Sequence, residues 1–131
     1  MLPFKSDTHK LSIEIAGIRN DKGTLRIGVF MSQEGFRDEK PEYEFSLSKA
    51  GLENGRIALQ IELPAGKYGI SVLDDENSDG RMNYNLLGIP REGFGFSGYI
   101  SRGMKKPRFS DFSFDLRSEV NVIKVRMRYV L

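Results

Sequence analysis

Apolar and polar residues alternate with period two along most of the chain, the signature of strands with one buried face. Leu11, Ile13 and Ile15 share a face, with Ser12 and Glu14 opposite. Leu25, Ile27 and Val29 repeat the pattern after Asn20-Asp21-Lys22-Gly23, a turn whose glycine can take positive φ, so the two segments are expected to form a first hairpin. Ser32 to Lys40 predicts a loop or a single helical turn around Phe36, after which Tyr43, Phe45 and Leu47 alternate again and Asn54-Gly55 marks a turn. Ile57, Leu59 and Ile61 lead into Pro64-Ala65-Gly66, and Tyr68, Ile70 and Val72 follow at once, which predicts a second hairpin. Phe112, Phe114 and Leu116 begin another strand. Val120 and Val122 then change parity to Ile123, Val125, Met127 and Tyr129, predicting a bulge at Val122-Ile123.

Asp74 to Arg108 breaks this rhythm, with six of the 14 glycines and two of the five prolines. Its aromatic residues argue for order, since disordered segments are poor in them, so a long ordered loop laid over the strands is expected. About seven short strands with almost no helical periodicity indicate an all-β fold. The class expected is an antiparallel β-sandwich, immunoglobulin-like or transthyretin (prealbumin)-like. The expected organisation is an N-terminal tail over 1–10 and one domain over 11–131, since 131 residues suit a single core.

Charge and composition narrow the function classes. Lys and Arg total 20 against 18 Asp and Glu, and a net charge of +2 with dispersed basic residues argues against a nucleic-acid surface. There is no cysteine, hence no disulfide framework or thiolate metal site. No apolar run reaches the roughly 18 residues of a membrane helix. His9 is the sole histidine, so a Ser-His-Asp triad or a histidine-ligated zinc site lacks parts and no enzyme is expected.

The candidate chemistry lies at the start of the long loop. Asp75, Asn77 and Asp79 place oxygen ligands at alternate positions before Gly80, as in loops that wrap calcium, with the Arg81 carbonyl and Asn83 next in the series. Position 12 of such a loop is Leu86 rather than a bidentate acid, so the pattern is half of a calcium hand; a closing ligand would come from Asn85, Glu92 or another loop. The alternative is that Asp and Asn here form side-chain-to-backbone turns. Gly93-Phe94-Gly95-Phe96-Ser97-Gly98 spells the dinucleotide fingerprint, yet no helix pattern follows it, and it reads as a glycine-permitted loop with packed rings. Tyr84, Phe94, Phe96 and Tyr99 are candidates for stacking on carbohydrate.

Leu11 to Phe30, Leu63 to Leu73 and, most specifically, Asp75 to Ser97 (DENSDGRMNYNLLGIPREGFGFS) resemble a bacterial family known as domain of unknown function 2141. The resemblance implies a periplasmic or secreted home and carries no catalytic residues. The Pro64-Ala65-Gly66-Lys67-Tyr68 turn is also similar to that of transthyretin-like and carboxypeptidase regulatory-like modules. The function expected is an exported accessory or ligand-binding module with a structural calcium loop. A binder of glycan or envelope polymer is second, with a glycan or envelope protein as partner, and a hydrolase third.

Overall fold

The alternating segments form strands whose apolar sides meet in one core. The computed structural model describes residues 8–77, 92–100, 106–117 and 120–129. Within them lie eight strands: β1 (Thr8–Ala16), β2 (Thr24–Phe30), β3 (Tyr43–Ser48), β4 (Ile57–Pro64), β5 (Gly66–Asp75), β6 (Phe94–Phe96), β7 (Ser113–Leu116) and β8 (Val120–Arg126). Two short helices, α1 (Gln33–Arg37) and α2 (Phe109–Phe112), complete the set with a 3-10 turn at Lys49–Gly51. The chain is an all-β sandwich. One sheet has the order β4-β1-β8; the other has β3-β2-β5-β6, with β7 also on β5. All pairings are antiparallel except that of β1 with β8, which is parallel.

Both expected hairpins are instead crossings between sheets. β1 pairs with β4 and β8, whereas β2 pairs with β3 and β5. β4 and β5, on either side of Pro64-Ala65-Gly66, likewise belong to different sheets. Alternation reports which side of a strand is buried but not its partner, because two apolar faces can lie side by side in a hairpin or face to face across a core. Here they face each other. Ile18, in the first crossing, is buried and closes one end of that core. At the second crossing the Tyr68 hydroxyl donates back to the Pro64 carbonyl at 2.7 Å.

Other expectations hold locally. Asn54 and Gly55 take φ of 52° and 74° between Glu53 and Arg56, which exchange backbone hydrogen bonds, as a two-residue turn with both central residues left-handed requires. Gly23 has φ of +73°. The single helical turn is α1, capped by the Ser32 side chain, which accepts from Gly35 N at 3.0 Å. The bulge is not found: β8 pairs one-to-one with β1 from Lys10–Val120 to Ala16–Arg126. Val122 points outward, half exposed, while Ile123, Val125 and Met127 keep the core side. Thr8, His9 and Lys10 belong to β1, opposite Pro64, Leu63 and Glu62.

The outward face of the second sheet carries a further layer. Phe30, Phe36, Phe94, Phe96, Phe109 and Phe112 form a buried aromatic cluster there, joined by Leu73 and Tyr99. Its ring centroids lie 4.8 to 6.3 Å apart in tilted and edge-to-face contacts. This is the packing function of α1 and α2.

Candidate functional site

β5 ends in Asp74 and Asp75, whose side chains leave the strand on opposite faces. Asp74 continues the inward series Tyr68, Ile70, Val72 and places a carboxylate at the end of the core with no exposed surface. Its charge is met by Lys49 from the 3-10 turn after β3, whose Nζ lies 2.5 Å from Oδ1. Oδ1 has no aligned hydrogen-bond donor, so this ion pair is its contact among the described residues. Oδ2 accepts from the Tyr129 hydroxyl at 2.5 Å. Lys49 also donates to the Asn20 carbonyl at 3.2 Å, drawing in the first crossing.

A second ion pair lies over the first. The Arg19 guanidinium forks onto Glu76, with Nε and Nη2 each 2.8 Å from a carboxylate oxygen, and sits 4.4 Å from the centre of the Tyr129 ring. Asn20 Nδ2 adds a third donor to Glu76 at 2.8 Å. The hydrogen bond from Arg19 holds the Glu76 carboxyl below the usual carboxylate range, and the same bond raises the Arg19 pKa. Burial, then the bond to Asp74, pushes the Tyr129 phenol well above its ordinary value.

This cluster fastens the two ends of the segment between Asn77 and Glu92. Asp74 N donates to Gly93 O at 2.9 Å, and Glu76 N donates to Glu92 Oε2 at 2.9 Å. Glu92, a candidate closing ligand, is thus seated beside the loop's first residues, and it and Asp75 are buried. Asp79, Arg81, Asn83 and Tyr84 lie outside the described residues. Among the described residues no three acidic or histidine side chains converge in a way that could hold a metal. Asp74 and Glu76 are engaged by Lys49 and Arg19, so the cation reading turns on Asp75, Asn77 and the segment beyond.

The glycine-phenylalanine repeat is a strand, not the expected loop. Phe94 and Phe96 pair opposite Leu73 and Ser71 and turn their rings into the aromatic layer; each is 8% exposed, so neither offers the solvent-facing surface for a sugar that was expected of them. Gly93 and Gly95 face inward, where a Cβ would come 2.3 Å from the Tyr129 ring and 2.6 Å from Val125 Cγ1. Close approach of the last strand is what demands glycine. Paired backbone bonds between Phe94 and Arg128, and a bond from Gly98 N to Lys124 O, tie β6 to the C-terminal segment and close one side of the sandwich. Tyr99 remains half-buried beside this junction.

Ser97 completes the β5 ladder where β6 ends and β7 begins. Its Oγ accepts from Ile70 N at 3.0 Å and donates to Phe112 O at 2.6 Å, both inside the protein. Sequence reasoning missed Ser97, Lys49, Arg19 and Tyr129 as network members. Asp74 had one readable sign: an acid in phase with Tyr68, Ile70 and Val72 demands a buried partner.

The arrangement defines a β-sandwich with an ionic clamp where β5 ends, beside Glu92 and Gly93. The chain belongs to the family of uncharacterised proteins conserved in bacteria, DUF2141, which it matches over residues 13–124. No curated protein and no solved structure matches it.

Proposed function

We propose that the protein is a non-catalytic accessory or ligand-binding module, exported to the periplasm or beyond, whose loop from Asp75 takes a structural calcium ion. The observation that carries this reading is the fastening of both ends of the loop, Asp74 to Gly93 and Glu76 to Glu92. Such a base lowers the entropy lost when oxygen ligands gather round one ion. Calcium would be held by Asp75, Asn77 and Asp79, the Arg81 carbonyl and Asn83, with Glu92 at hand. Ligands of this type and number suit a hard cation of millimolar affinity, as in extracellular modules. Kinship with transthyretin-like or carboxypeptidase regulatory-like sandwiches belongs to the same proposal; the Pro64-Ala65-Gly66 crossing, with Tyr68 bonded back to Pro64, supports it.

Hydrogen exchange across residues 77–92 tests the structural task of the ion. Added calcium is expected to slow exchange there and leave β1 and β5 unchanged. Identical exchange with and without calcium would remove the loop from the account.

A second reading, binding of carbohydrate or envelope polymer, is favoured by one observation. Tyr99, half-buried, borders an open groove on the outward side of the first sheet.

A further inference from the structure

The groove of about 1120 Å³ crosses β8, β1 and β4, walled by the turn around Asn54 on one side and by Gly98 to Ile100 on the other. Three cations, Arg56, Lys124 and Arg126, line it and are exposed. None of them makes a side-chain hydrogen bond or ion pair with a described residue, whereas Arg19, Arg26, Arg37, Lys49 and Arg117 all do. The strand register fixes their spacing. Lys124 and Arg126 lie two positions apart on the outward face of β8, about 7 Å, opposite Glu14 and Ala16 of β1. Arg56 stands one position beyond the Ile15–Ile57 pair, so it and Arg126 flank Ala16 from either side, roughly 10 Å apart.

The rest of the lining limits what these cations could receive. Ala16 and Ala58 form a low floor on which a chain can lie close to the sheet. Glu14 and Glu53 place carboxylates among the cations, which repel a densely charged polyanion but accept hydrogen bonds from hydroxyls. Ile100 is 70% exposed at the rim next to Tyr99, giving an apolar edge. Separated cations, hydroxyl acceptors and an apolar edge together match a sugar chain bearing carboxylates.

We propose that this groove binds a linear acidic polysaccharide, its carboxylates paired with Arg56, Lys124 and Arg126 and its hydroxyls with Glu14 and Glu53. The proposal deepens the carbohydrate reading and rests on it. It is independent of the calcium loop.

The test is calorimetric titration with oligogalacturonate in calcium-free buffer containing chelator, beside fully methyl-esterified oligogalacturonate, dextran and polyglutamate. Expected is saturable binding of the free-acid oligomer alone that weakens as salt rises. Arg56→Ala with Arg126→Ala should weaken it at least about tenfold, and Lys124→Glu should do the same, with melting temperatures at the parent value. Absence of binding to the acid oligomer overturns the proposal. Equal binding of the esterified oligomer overturns the role of the cations while keeping the carbohydrate reading. Equal binding of polyglutamate overturns both, since charge alone would then suffice.

Discussion

Nζ of Lys49 lies 2.5 Å from Oδ1 of Asp74, and both side chains are buried, 1% and 0% exposed. The pair joins the turn after β3 to the last inward position of β5, and Tyr129 from the C-terminal segment bonds the same carboxylate. Desolvating two charges is costly, so the pair's main effect is to make any broken version of this junction unfavourable. Lys49→Met should therefore destabilise by about 3–5 kcal/mol, leaving a buried carboxylate unmatched, while Lys49→Met with Asp74→Leu should recover much of the loss. Urea unfolding of the two variants checks this; a double variant no better than the single would contradict it.

Tyr129→Phe removes one bond to a charged group and strands Arg19 N, a loss of about 1–3 kcal/mol. The phenol's pKa in the fold is raised above its ordinary 10.0, by burial first and the bond to Asp74 second. Its neutral form therefore contributes stability that is fully present below pH 10 and is lost as pH rises through the folded value. Unfolding midpoints measured from pH 8 upward should fall more steeply in the parent than in Tyr129→Phe.

At the acid end the sign reverses. Glu76 titrates below its ordinary 4.5 because Arg19 bonds its ionised form. Its contribution is present above that value and is lost as pH falls through the folded pKa. Glu76→Gln should lower stability at neutral pH and flatten the decline below pH 5. An unchanged acid limb would show that the fork onto Arg19 contributes nothing.

Ser97→Ala takes a hydrogen bond from both Ile70 N and Phe112 O at a buried site. The cost should be about 1–3 kcal/mol, with the Ile70 amide among the most accelerated in hydrogen exchange. Native-like protection of Ile70 in the variant would contradict the role given to Ser97.

The sequence disclosed faces better than neighbours. Leu11, Ile13 and Ile15, and Leu25, Ile27 and Val29, were legible as core positions because burial on one side imposes period two. Their strand partners were not, since a crossing and a hairpin leave the same pattern; Ile18, an apolar residue between β1 and the supposed turn at Asn20-Asp21-Lys22-Gly23, was the hint that the chain plugs a core end there. β6 was hidden by Gly93 and Gly95, which read as loop residues although Tyr129 and Val125 packing over them is the reason for glycine. The acidic start of the loop stood out, but Asp74 and Glu76 proved to be held by Lys49 and Arg19, residues 25 and 57 positions away in sequence that only the fold brings near. Val122, an outward valine on β8, imitated a register shift.

The central claim, a calcium ion in the loop from Asp75, is tested most directly by calorimetric titration of the metal-free protein with calcium. The account predicts a saturable heat with Kd on the order of 0.1 to 1 mM, a rise in melting temperature, and loss of both in Asp79→Ala. No heat and an unchanged melting temperature at about 10 mM calcium would contradict it.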